Sequence, residues 1–261
     1  MVDPDVRRPC HQGHIARREI GRIGAIIIND TRVPGKTPNR QLNTPEGNLD
    51  DFNKRITEYL EKIRSSGIDA SMALPPEVWQ ATVGSGLPRP PIDFIADVRA
   101  QVPEEMYPPV LVASNNDSFT DFEGGSGVGF IVSQAFRDAV ESFDKGVHQF
   151  VPVEIRRKDG GLHDKRPFYY LRVTRLLNTV NVEASPDLPR VSGKVTDPVT
   201  ETTSFHLTRA NFVVHADRTA GTGLWRDIRS QNDILASQRL LDLLRERNIT
   251  GWRINSSFDE I

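Results

Sequence analysis

The chain has a single cysteine, Cys10, among 261 residues. No disulfide can close within it, and a reducing, cytoplasmic setting is the expectation. Long apolar runs are also missing. The most apolar early stretch, residues 23–28, follows Arg22 and is too short for a signal-peptide core or a membrane span. Charge of one sign is not in excess either: the formal net charge of −2 makes no overall case for nucleic acid or an anionic membrane. Nor does any Ser-His-Asp order, His-Glu metalloprotease motif or close carboxylate pair on one expected face stand in the sequence. The reading is a soluble, non-enzymatic protein with no cofactor.

Two short motifs look chemical and fail on spacing. "EGGSGVGF" at 123–130 has an acidic segment before its glycines and a strand-like run after them. A dinucleotide fingerprint needs strand first and helix after. Ser126 also has glycine on both immediate sides, not two residues away as a nucleophile elbow requires. "CHQGH" brings Cys10, His11 and His14 together, but a structural zinc site wants a fourth ligand and no second cluster supplies one. No metal site is assigned.

What the chain does contain is periodicity. Phe52, Ile56, Leu60 and Ile63 form one helical stripe in a helix expected over about 49–66, with Asn48 able to cap it and Gly67 placed to end it. Residues 73–109 carry eight prolines, and "PPEVWQATV" and "PPIDFIADVRAQV" each suit a short helix opening after proline. "RIGAIIIND", "PPVLVAS" and "VGFIV" read as strands, and Asp159-Gly160-Gly161 separates two strand-like runs as a hairpin turn would. "TSFHLTRANFVVHAD" is strand-like again.

One phrase is written twice. "FIVSQAFRDAV" at 130–140 and "ILASQRLLDLL" at 234–244 both place apolar residues before Ser-Gln and a helical stripe with an Asp after it. Ser133 and Ser237 stand where N-caps belong. Each copy encodes strand, Ser cap, amphipathic helix, turn and strand, long enough for a parallel crossover. Duplication, chance and shared capping chemistry each account for the match. The expected fold class is α+β: a mixed sheet with strand-Ser-helix-strand units and helices packed on it, in one or two closely packed subdomains. Residues 1–127 form an N-terminal region with the helix and the proline-rich section, and 128–261 the α+β region.

Charge separates along the chain. Residues 93–123 hold seven acids against Arg99 alone, and residues 154–175 hold seven Arg or Lys against Glu154, Asp159 and Asp164. The acidic segment reads as an exposed loop able to receive a basic partner, with Asp117, Asp121 and Glu123 supplying charge. Phe119 and Phe122 within it serve as anchors or fold back onto the body. Trp225, followed by Arg226, is core or contact. The basic hairpin, with Phe168, Tyr169 and Tyr170 beside its charges, is the alternative: a nucleic-acid surface built on stacking. An unrecognised hydrolase is the third reading.

Several blocks resemble a known family. The Ser-capped helix with "HQFVPVEI", the pair Tyr169-Tyr170 before Asn178, Trp225-Arg226, and the closing Gly251-Trp252-Arg253 are similar to signatures of a bacterial immunity-protein family associated with polymorphic toxins. The resemblance covers about residues 128–256. It implies a cytoplasmic antidote that binds a cognate toxin domain, encoded by the adjacent gene, by occlusion, with neither membrane nor nucleic acid as partner and self-association left open.

Overall fold

The computed structural model describes residues 24–29, 42–43, 45, 54–55, 58–59, 102–113, 118–124, 130–190, 205–207 and 211–261. Its strands form two six-stranded mixed sheets. The first runs, edge to edge, β2 (Leu42–Asn43), β3 (Val110–Ala113), β6 (Gln149–Arg156), β7 (Phe168–Arg172), β5 (Phe130–Ser133) and β4 (Phe122–Glu123). The second runs β8 (Leu176–Leu177), β10 (Leu224–Asp227), β11 (Ser230–Ser237), β1 (Gly24–Asn29), β12 (Trp252–Glu260) and β9 (Phe212–Val214). Helices α1 (Gln134–Glu141), α2 (Ala216–Thr219) and α3 (Gln238–Glu246) complete an α+β fold.

The repeated phrase is architectural. In the first sheet, β5 and β6 are both antiparallel to β7, so α1 joins two parallel strands across a third. In the second, β11 and β12 are both antiparallel to β1, and α3 makes the same crossing. Beyond β6 lies the parallel β3, and beyond β12 the parallel β9. On the other flank, β4 and β10 run antiparallel to β5 and β11. Five strands thus agree in order and direction. Capping chemistry governs one helix end and cannot set the order of five strands, so the structure favours duplication. Only the central strand differs in origin: β7 follows β6 along the chain, whereas β1 comes from the N-terminal region.

Local chemistry explains why both phrases turn from strand to helix at serine. Ser133 Oγ accepts from the Phe136 amide at 3.3 Å, and Ser237 Oγ from the Leu240 amide at 3.4 Å. Each satisfies one of the orphan donors of the first turn. One turn on, Gln134 donates to Asp138 at 2.5 Å and Gln238 to Asp242 at 2.6 Å, pairs that share one helix face. The stripes Phe136, Ala139, Val140 and Leu240, Leu241, Leu244 then enter one core with Ala25, Ile27, Val132 and Leu171. Burial of each larger side chain contributes roughly 1.5–3 kcal/mol. The two helices therefore tie the two sheets together.

The two caps differ in one respect that a stability measurement can read. Ser133 Oγ also donates to Asp121 at 2.8 Å in a buried site. Ser237→Ala should cost about 1 kcal/mol, the ordinary loss of a cap. Ser133→Ala should cost about 2 kcal/mol, because an acceptor lone pair of a buried carboxylate loses its donor as well. Urea denaturation of the two variants side by side gives the difference.

Two further cores lie on the outer faces. Leu111, Ile131, Val151, Val153, Ile155 and Tyr170 pack with Tyr107 and Phe119 against the first sheet. Trp225, Leu235, Phe212 and Phe258 pack with Phe205 and Leu207 against the second. Of the helix expected at 49–66, Lys54, Arg55, Glu58 and Tyr59 are described and helical, with Lys54 and Glu58 3.9 Å apart. Its apolar stripe and the two proline-led helices lie outside the described residues. Among the described residues of the strand-like run at 203–217, only Phe212–Val214 forms a strand. A division at residue 127 crosses both sheets, since β1 to β4 come from one side and the remaining strands from the other.

Candidate functional site

Residues 119–123 of the acidic segment do not form an exposed loop, whereas Glu104 and Glu105 are exposed. Phe119 is 3% exposed, Phe122 0%, Asp121 8% and Glu123 5%. Asp121 is placed between the two units. Its Oδ1 accepts from Ser133 Oγ and, at 3.0 Å, from Arg166, while Oδ2 accepts from the Thr250 amide and hydroxyl, both at 2.9 Å. Glu123 folds back onto Thr120, accepting from its amide at 2.8 Å and its hydroxyl at 2.7 Å. Phe119 stacks edge-on against Phe168, and Phe122 lies between Phe130 and Phe136. The reading of Asp121 and Glu123 as exposed charge is corrected, and of the two alternatives for Phe119 and Phe122 the rings fold back into cores: Asp121 takes its donors from Ser133, Arg166 and Thr250, and Glu123 takes its own from nearby Thr120. Asp117 and the motifs at 10–14 and 125–129 lie outside the described residues.

Trp225 is fully buried, resolving it as core; its indole donates to Thr179 Oγ1 at 3.2 Å and its ring meets Phe258 edge-on. Arg226 next to it is half-buried as a residue. Burial and the neighbouring Arg172 push its guanidinium down to about 10, against the pull of Asp233. The adjacent Asp227 accepts from Thr179 and Val180 at 2.7–2.9 Å, pinning the segment after β8 to β10.

A second buried polar centre joins the units on the far side of α1. Asp144 accepts from the Gly223 amide at 3.1 Å and the Leu224 amide at 2.7 Å, and it pairs with Arg175. His148 faces it through Nε2 at 3.4 Å and accepts through Nδ1 from the Thr174 amide. Burial alone would raise the Asp144 carboxyl, yet the His148 hydrogen bond, the Arg175 charge and the Gly223 amide hold it below the usual range. Burial pulls the His148 ring below the ordinary histidine range, against the pull of Asp144. Sequence reading missed this centre, because its members stand 4, 31 and about 80 positions from Asp144 and carry no local signal.

What faces outward is the hairpin after β6. The turn predicted at Asp159-Gly160-Gly161 is present: the Gly160 amide donates to Arg157 O, and the Gly161 amide donates to Asp159 Oδ1. Beyond the turn Leu162 bridges Arg156 and the His163 amide donates to Ile155 O, and an open groove of about 420 Å³ is lined by Pro109, Pro152, Leu162, Lys165, Pro167 and Tyr169 among others. Leu162 is 52% exposed. The stacking surface required by the nucleic-acid alternative is not formed. Phe168 and Tyr170 point into the core, with the Tyr170 hydroxyl donating to Pro108 O, and only Tyr169 is half-exposed. Among the described residues no group of three or more His, Cys, Asp or Glu is placed to hold a metal ion, and no helix is long and apolar enough to cross a membrane.

Comparison with curated proteins gives no match. Comparison with protein families matches residues 44–257, which reaches well before the resemblance at 128–256 and takes in most of both sheets. Both serine-capped helices, the polar joints between them and every matched strand except β1 fall within or run into that span, and on this match the chain belongs to the Immunity protein family (Imm11).

Proposed function

We propose that the chain protects the cell that makes it by binding a cognate toxin domain and covering its active site, without catalysis of its own. Membership of an immunity-protein family carries this reading. The interior supports it. Asp121, Asp144, Asp227 and His148, the groups best suited to chemistry, hold amides, hydroxyls and arginines of the chain itself. Chains built this way act through the shape and charge of a rigid exterior, and preorganisation limits the ordering cost of binding. A stable occluding interface should bury about 1,200–2,000 Å² in total. The toxin is the C-terminal domain of a large secreted protein encoded by the adjacent gene, as in systems of competition between bacteria, and the two meet in the cytoplasm.

The test is co-expression. Cells producing that C-terminal domain alone should stop growing, and cells also producing this chain should grow, with the two proteins co-purifying as a stoichiometric complex. Continued arrest in the presence of abundant folded chain would refute the proposal.

A further inference from the structure

The hairpin groove combines an apolar floor with charge of one sign left over. Glu154 pairs with Arg156, Asp159 with Arg157, and Asp164 with Arg166. Lys158 at the turn and Lys165 on the groove wall are both exposed and pair with no carboxylate among the described residues. The exposed charge presented by residues 154–167 is therefore positive, whereas Asp121 and Glu123 of the acidic segment are buried.

The floor is stiff. Pro109, Pro152 and Pro167 have little side-chain freedom to lose on contact. Tyr169 is held at both ends: its hydroxyl bonds to Gln134, and Arg137 lies over its ring at 4.6 Å from the centroid. Arg166, on the wall, is fixed by Asp164, by Asp121 and by Phe119 O. Leu162 stands at the rim with half its surface in water. A fixed aromatic, fixed prolines and an exposed leucine are the parts of an interface centre, and the lysines are its polar rim.

We infer that this groove is the docking site for an extended acidic segment of the toxin, whose apolar side chain lies on Leu162, Pro152 and Tyr169 while its carboxylates meet Lys158 and Lys165. The inference rests on the proposed toxin-binding function and adds the surface and the partner's charge. An acidic segment offered here would be steered by the lysines, so association slows as salt rises.

The test uses the full chain and the C-terminal domain encoded by the adjacent gene. Affinity is measured by calorimetry for the wild type, for the double variant Leu162→Asp/Lys165→Glu, and for Arg247→Glu, an exposed charge just past α3. Binding by the double variant should weaken about 30-fold or more, the effect of losing a hot spot, while Arg247→Glu leaves it unchanged. Both groove positions are exposed, so thermal unfolding should report a folded variant. If it does not, Lys165→Glu alone is read instead, by a slower association rate at low salt that converges on wild type at high salt. Wild-type binding with no loss in the groove variants would overturn the groove and leave the function standing. An equal loss in Arg247→Glu would overturn it too. A wild type that fails to bind the domain would remove both.

Discussion

Gly251→Ala is expected to cost about 3 kcal/mol or more of stability, among the largest effects of any single methyl group in this chain. Gly251 has φ of +90°, a region costing an L-residue about 1–2 kcal/mol. Its surroundings are worse. An added Cβ would lie 2.5 Å from Phe122 O and 2.6 Å from Thr120 Cβ, with Thr120 Oγ1 closer still. The first of these is backbone, held by the Phe122 amide's own bond to Thr250 O at 3.1 Å, so it cannot step aside. Overpacking of this kind adds roughly 1–3 kcal/mol. The displacement would fall on the joint where Asp121 receives Thr250, so the loss spreads to both units. Gly160→Ala is the control: φ is +83° there but no atom lies within 4 Å of the new methyl. It should lose only the conformational part. Urea midpoints for the two variants, at unchanged m, separate the steric from the backbone contribution.

The same joint shows why the sequence was legible in part. Ser133 and Ser237 could be assigned as caps because a cap and its receiving amide lie three positions apart. The 159–161 turn and strands β1, β3, β5, β6 and β7 were legible for the same reason: turn chemistry and apolar runs are local. The acidic segment was not. Its composition suggests a solvated loop, and that reading holds for carboxylates that keep water as their partner. Asp121 instead finds Thr250, 129 positions on, and Arg166, 45 positions on. The strand order that brings them there involves β1, β7 and β12, which no local pattern reveals. The groove was hidden likewise. Pro109, Pro152 and Pro167 stand far apart in the sequence until the pairing of β6 with both β3 and β7 brings them to one groove floor.

The second joint should fail more completely when its charge is removed. Asp144→Ala is expected to destabilise the chain by about 3–5 kcal/mol, the range for one partner lost from a buried ion pair. Arg175 would be left buried without its carboxylate, and the Gly223 and Leu224 amides without their acceptor. Arg175→Met in the Asp144→Ala background should recover part of that loss, because it removes the uncompensated cation but not the two orphaned amides. Asp144→Asn should fall between, since an amide oxygen can still receive Leu224 while its NH₂ faces the remaining donors. Urea unfolding of the wild type, Asp144→Ala, Arg175→Met and the double variant forms a double-mutant cycle, and strict additivity would contradict the ion-pair account. His148 supplies an independent readout at the same place. Its folded pKa is depressed by burial, so above the ordinary histidine value of about 6.5 both states are neutral and stability is full. As pH falls below that value, the unfolded chain takes up a proton that the folded chain refuses, and stability declines. His148→Gln should flatten this decline between about pH 6.5 and 5, above the range in which carboxylates titrate. An unchanged slope would mean that the ring titrates alike in the folded and unfolded chains, and a steeper decline in the variant would mean that the folded ring is already protonated, with Asp144 holding two cations rather than one.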